Sequence, residues 1–130
     1  MRINYLKSEN YTFYGTKKRR IQAIVIHYTG MRSLQSAVER LISKKHEVSS
    51  HYLISRAGKI MQLVKDNNIA WHAGISNWFV FKNLNKNSIG IELENKGHQY
   101  GYQNFSSKQI RQLIKILKIL KKKYKIKNIN

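Results

Sequence analysis

A chain of 130 residues makes one domain, large enough to bury a core without metal or disulfide support. The absence of cysteine excludes disulfide scaffolds, cysteine zinc sites and thiol nucleophiles, and no apolar run is long enough to span a bilayer. Lys and Arg number 25 against 6 Asp and Glu, a formal charge of +19, so an anionic partner has to be weighed. The excess is mostly Lys beside much Asn and Ile and no Pro, as AT-rich coding produces, and it is read first as a solubility term.

In chain order, residues 1–20 form an N-terminal arm or a first edge element, and Tyr11-Thr12-Phe13-Tyr14-Gly15 can pair as a short strand. No apolar h-region or small-residue cleavage site follows Met1, which makes the cytoplasm the default compartment and leaves the periplasm open. The run Lys17-Lys18-Arg19-Arg20 reads as a solvated loop, with a phosphate or localisation patch as the sharper alternative. Ala23 to Ile26 is apolar and β-branched, as in a strand covered on both faces, and it leads into His27-Tyr28-Thr29 before Gly30 breaks it. Ser33 caps a helix carrying Leu34, Ala37, Val38, Leu41 and Ile42 at helical spacing. Residues 50–55 and 60–64 pair as a hairpin around the turn Arg56-Ala57-Gly58-Lys59.

Residues 65–87 read as loop with an aromatic cluster of Trp71, Trp78, Phe79 and Phe81, and a loop of that length in a small domain is usually functional. Residues 88–95 form a further strand. Ser106 then caps a long helix, with Gln109 as the partner in a capping box and Phe105 and Ile110 as a hydrophobic staple. Ile110, Leu113, Ile114, Leu117, Leu120 and Tyr124 line its apolar face. Residues 125–130 leave that helix as the approach to another strand. Irregularly alternating strands and helices with one hairpin predict an α/β (α+β) sandwich, a mixed central β-sheet flanked by helices.

Two strand positions carry chemistry. His27, where a strand turns outward, can present a ring nitrogen to a metal, although a packed histidine is the commoner use of such a position. Glu92 lies in the apolar strand Ile89-Gly90-Ile91-Glu92-Leu93, where a carboxylate is costly unless paired or employed. Desolvation there would raise its pKa towards the range useful to a general base, while an ion pair with one of the many lysines is the plainer alternative. Glu94 shares its facing by the period of two, so the residues alone do not choose between them. Trp71-His72-Ala73-Gly74 offers a sugar or peptide contact, or simply a loop tucked under its own tryptophan. His46 and His98, in polar segments, read as solvated.

Five segments taken together resemble one family. They are Ile24-Val25-Ile26-His27-Tyr28-Thr29, Ser49-Ser50-His51-Tyr52-Leu53-Ile54, Gly58-Lys59-Ile60 with Gln62-Leu63-Val64, Ala70-Trp71-His72-Ala73-Gly74-Ile75-Ser76, and Asn87-Ser88-Ile89-Gly90-Ile91-Glu92-Leu93-Glu94-Asn95. Their kind and order are similar to the zinc-dependent N-acetylmuramoyl-L-alanine amidases of the type-2 amidase and peptidoglycan-recognition superfamily. The closest branch cleaves muropeptides, including anhydromuropeptides. The resemblance implies residues 1–20 as an arm and 21–130 as a partial amidase domain. It implies hydrolysis of the amide between N-acetylmuramic acid and L-alanine in peptidoglycan or muropeptides. By motif match His27 becomes the first zinc ligand and Glu92, rather than Glu94, the general base. Tyr28, Trp71 and His72 become substrate contacts. The family's logic is metal hydrolysis, in which zinc activates water and polarises the carbonyl while a carboxylate moves the proton.

In that family a second histidine and an aspartate follow the long helix, on a Gly-His-x-Asp-x-Ala-Pro segment. This chain has no proline and reaches Asn130 before such a segment. The resemblance therefore implies an incomplete zinc site, impaired activity, and a sheet lacking its C-terminal strand and loop. One sheet edge should then lie open to a downstream fragment or to another chain. Two further functions stay open: a non-catalytic peptidoglycan or muropeptide binder, and a basic nucleic-acid binder using residues 17–20 and the last helix. The lack of any base-reading motif counts against nucleic acid.

Overall fold

The computed structural model describes residues 1–73, 84–101 and 103–129. The β-branched runs become the strands: β1 (Ile3–Tyr5), β2 (Tyr11–Thr12), β3 (Ala23–Tyr28), β4 (Tyr52–Ile54), β5 (Ile60–Gln62), β6 (Ile69–Ala70), β7 (Ser88–Leu93) and β8 (Asn128–Ile129). Among the described residues two α-helices accompany them, α1 (Leu34–Ile42) and α2 (Ser107–Tyr124). Six strands form one mixed sheet in the order β1-β5-β4-β7-β3-β8, and β2 and β6 pair separately. Only the β4–β5 hairpin is antiparallel within the large sheet. The central strands are buried on both faces, as their apolar runs require.

Alternation along the strands divides the core in two. Ile24, Ile54, Ile60, Ile89 and Ile91 pack with Leu113, Ile116 and Leu120 under α2. Leu53, Met61 and Leu63 pack with Leu41 of α1 on the other side. The two helices therefore cover opposite faces, and side chains of the α1 face are free to build a cleft beyond the short helix.

Several sequence expectations change in detail. The first twenty residues supply an edge element: β1 pairs in parallel with β5, and β2 pairs with β6 inside the segment read as loop. On α2, Ile114 is 46 % exposed while Ile116 is 1 % exposed. The sheet thus meets a stripe rotated from the expected one, centred on Leu113, Ile116 and Leu120. Ser106 caps α2 by accepting from the Gln109 N–H at 3.1 Å, but the Gln109 side chain does not close the box. Its amide instead donates to the carbonyls of Ile54 and Glu94, both at 3.0 Å, adding to the Glu94 N–H that the Ile54 carbonyl already accepts and tying α2 to the ends of β4 and β7. Phe105, read as half of a staple, is exposed. Of the segment after α2, Asn128 and Ile129 already lie in a strand beside Ala23 and Ile24 of β3. The sheet edge expected to be bare is thus occupied along the first part of β3. The aromatics Trp78, Phe79 and Phe81 lie outside the described residues.

Candidate active site

Parallel pairing of β3 with β7 sets His27 directly beside Glu92, and β4 places Leu53 on the other side of Glu92. All three sit on the α1 face. A cavity of about 580 Å³ opens there, with Tyr28, Arg40, Glu92, Lys96, His98 and Tyr100 among its lining residues. Tyr28 is half exposed at its rim, and the Arg32 guanidinium stacks over Tyr100 at 4.9 Å. Against a single carboxylate, Arg40 and Lys96 give the mouth a positive potential. His98, read as solvated, is exposed but forms part of this wall.

Glu92 has no ion-pair partner among the described residues, and its Oε2 is buried without a hydrogen bond. Desolvation pushes its carboxyl up to about 7, with Arg40 pulling weakly the other way. Glu94 differs: its Oε1 accepts from the Arg56 N–H at 2.9 Å, so it is employed in closing the β4–β5 turn onto β7. The structure thereby separates two carboxylates that the strand period leaves equivalent.

His27 meets His72 behind this cavity. His27 Nε2 lies 3.0 Å from His72 Nδ1, and the rings meet edge to face with centroids 5.2 Å apart. Burial lowers the pKa of His27. It lowers that of His72 further, with His51, His27 and Arg19 adding to the effect, so both imidazoles are neutral at pH 7. The His72 ring occupies the space above Gly90. A Cβ built at Gly90 would stand 2.5 Å from His72 Cγ, which explains glycine in the middle of a buried strand. Gly90→Ala is expected to displace the ring and cost about 1–3 kcal/mol. Chemical denaturation measures the loss, and an unshifted His72 ring signal would contradict it.

The expected substrate contacts separate. Tyr28 lines the cavity; Trp71 and His72 do not. Trp71 is turned away, its indole N–H donating to Thr12 Oγ1 at 2.9 Å, and its backbone is tied to Ser49. His51 is fully buried and serves the backbone. Its Nδ1 accepts from the Gly90 N–H at 3.0 Å, which places its proton on Nε2 for the Asn68 carbonyl at 2.8 Å. With that tautomer the nearby Arg19 Nη2 contact is an approach rather than a hydrogen bond.

Arg19 was not legible as a site residue, since it sits in a run of four cations. It is 4 % exposed. Its guanidinium donates to the carbonyls of Asp66, Asn85, Lys86 and Ser88, which ties the start of β7 to the 65–68 loop. Asp66 in turn accepts from the hydroxyls of Tyr52 and Tyr124, at 2.6 and 2.5 Å. Burial, followed by the Asp66 charge, holds the Tyr52 hydroxyl well above its ordinary range.

A metal needs more than these residues provide. Among the described residues no group of three His, Cys, Asp or Glu is placed to hold an ion. Residues 74–83, 102 and 130 contain none of those types. The donor set therefore does not fit a closed three-ligand zinc site.

The family model described as N-acetylmuramoyl-L-alanine amidase matches residues 17–130, and the chain belongs to that family. The N-acetylmuramoyl-L-alanine amidase AmiD of Escherichia coli strain K12 is 42 % identical over 123 residues, covering 85 % of this chain and 44 % of AmiD. The 1,6-anhydro-N-acetylmuramyl-L-alanine amidase AmpD of Haemophilus influenzae is 40 % identical over 77 residues, covering 59 % of this chain and 40 % of AmpD. Among solved structures, E. coli AmiD in complex with anhydro-N-acetylmuramic acid-L-Ala-D-gamma-Glu-L-Lys superposes with a TM-score of 0.76 at 40 % identity, over 85 % of this chain and 47 % of that one. AMPDH3 from Pseudomonas aeruginosa gives 0.73 at 28 % identity, over 92 % and 52 %. The chain spans less than half the length of these two curated relatives.

Proposed function

We propose that the chain carries the base-bearing part of a peptidoglycan amidase centre, acting on the amide between N-acetylmuramic acid and L-alanine in muropeptides. The observation that supports this most directly is Glu92, whose buried oxygen has no partner and whose pKa of about 7 suits it to take a proton and return it. In this reading Glu92 removes a proton from the attacking water and delivers it to the departing L-alanine nitrogen. Tyr28 contacts the substrate at the cavity rim. Arg40 and Lys96 draw in the carboxylates of the stem peptide. Trp71 is not given a substrate role, because its indole is engaged with Thr12.

Zinc enters as the family expectation, with His27 as the ligand this chain would offer, and no step is assigned to it. The other two ligands would have to come from outside this donor set, from another segment or another chain. Titration of zinc into the chain is therefore expected to give no tight one-to-one isotherm. One tight zinc per chain accompanied by cleavage of a muramoyl–L-alanine amide would sink that expectation. The incomplete donor set favours one second reading, a muropeptide-binding protein without turnover. Retention of an anhydromuropeptide with no release of the free stem peptide would select it over the amidase.

A further inference from the structure

The histidine pair continues into a chain of hydrogen bonds whose direction the atoms decide. The Leu84 carbonyl can only accept, and Ser88 Oγ lies 2.6 Å from it, so the hydroxyl proton of Ser88 is committed to Leu84. Ser88 Oγ lies 3.0 Å from His72 Nε2 and must then accept there. A neutral imidazole carries one proton, so with Nε2 as donor His72 Nδ1 is an acceptor. His27 Nε2, at 3.0 Å from that nitrogen, is consequently the donor. We propose that His72 and Ser88 are positioning residues, a relay that fixes the His27 proton on Nε2 and leaves Nδ1 as the nitrogen with the lone pair.

The relay is built on a rigid frame. The 84–88 segment holds both ends: Asn85 Oδ1 accepts from the backbone N–H groups of His72 and Ala73 at 3.2 and 2.9 Å. The Ser88 carbonyl is held by Arg19 at 2.8 Å. Gly90 leaves the room in which the His72 ring lies. His72 and Ser88 therefore act on His27 without reaching the cavity. For hydrolysis the consequence, which rests on the amidase reading above, is that His27 meets any ligand or proton through Nδ1 alone.

Long-range proton–nitrogen correlation NMR on the full chain, labelled with 15N at histidine, treated with chelator and held near pH 8, reads the tautomers directly. The expected wild-type result is a single tautomer for both rings, protonated on Nε2. Ser88→Ala, checked for folding by its backbone amide spectrum, is expected to lose that single state and give mixed tautomers at His72 and His27. A wild-type His27 protonated on Nδ1, a wild-type mixture, or an unchanged single tautomer in folded Ser88→Ala would each overturn the relay. The wild-type spectrum decides even if the variant does not fold. Muramoyl-amide cleavage is assayed on parallel samples kept free of chelator and supplied with zinc. Expected tautomers without cleavage uphold the relay and remove the amidase reading, whereas cleavage with the wrong tautomer removes the relay alone.

Discussion

Glu92→Gln is expected to make the protein more stable at pH 8 and to lower muramoyl-amide turnover steeply wherever turnover is measurable. The buried carboxyl titrates near 7 in the folded chain, against an ordinary value of 4.5. The native state therefore binds this proton more tightly than the unfolded state does. By linkage, the wild type loses stability as pH rises from about 4.5 to about 7 and stays at the lower level above that. Removing the charge recovers on the order of 3 kcal/mol at pH 8, less whatever an unpartnered buried amide costs, for a net gain of about 1–3 kcal/mol. At pH 4 the carboxyl is largely protonated in both states, so the gain should vanish and only the amide's own cost should separate the two proteins. Loss of the base should lower turnover about 10²–10⁴-fold wherever turnover is measurable. Paired urea melts of both proteins at pH 4 and pH 8 test the linkage. Equal stability at pH 8 would mean that Glu92 has a partner in solution. Undiminished cleavage by the variant would remove it from the mechanism.

The sheet was legible because its strands are short, β-branched and punctuated by glycine and polar turns. The parallel register that brings His27 to Glu92 was not, because no local signal fixes which strand lies beside which. Glu92 stood out because a carboxylate in an apolar strand is costly. Its separation from Glu94 appeared only with the Arg56 N–H that occupies Glu94. On α2 the apolar positions allowed two neighbouring stripes. Packing against the sheet chose the one containing Ile116. Gln109 shows the same limit, since its spacing from Ser106 suggests a capping box while its amide serves two strand-end carbonyls instead. The relay depended on three segments meeting, Ala23–Tyr28, the turn around His72, and the start of Ser88–Leu93. Its glycine and serine are present in the quoted motifs, but nothing in a linear pattern says what they touch.

The largest loss of stability is expected from Arg19→Met. Methionine fills similar space and leaves the carbonyls of Asp66, Asn85, Lys86 and Ser88 without their donor. The buried Ser88 carbonyl left unpaired costs about 1–3 kcal/mol, and the three part-buried carbonyls, which relaxation or entering water can serve, bring the total to about 3–5 kcal/mol. Burial already lowers the Arg19 pKa to about 10, yet the guanidinium stays charged at neutral pH, so removing it also takes away part of the positive field at Asp66, whose carboxylate is left with Lys123 at 4.0 Å. Arg19→Lys should fare almost as badly, because an ammonium lacks the planar fork that reaches carbonyls on both sides. A lysine variant within about 1 kcal/mol of wild type would show that charge rather than fork geometry matters at this position. The consequence extends to the site. Arg19 holds the carbonyl of Ser88, and Ser88 is the acceptor for His72, so loosening this anchor should disorder the histidine pair before the sheet itself gives way. Hydrogen exchange should accordingly show the 84–90 amides of Arg19→Lys losing protection first, while those of α2 remain protected.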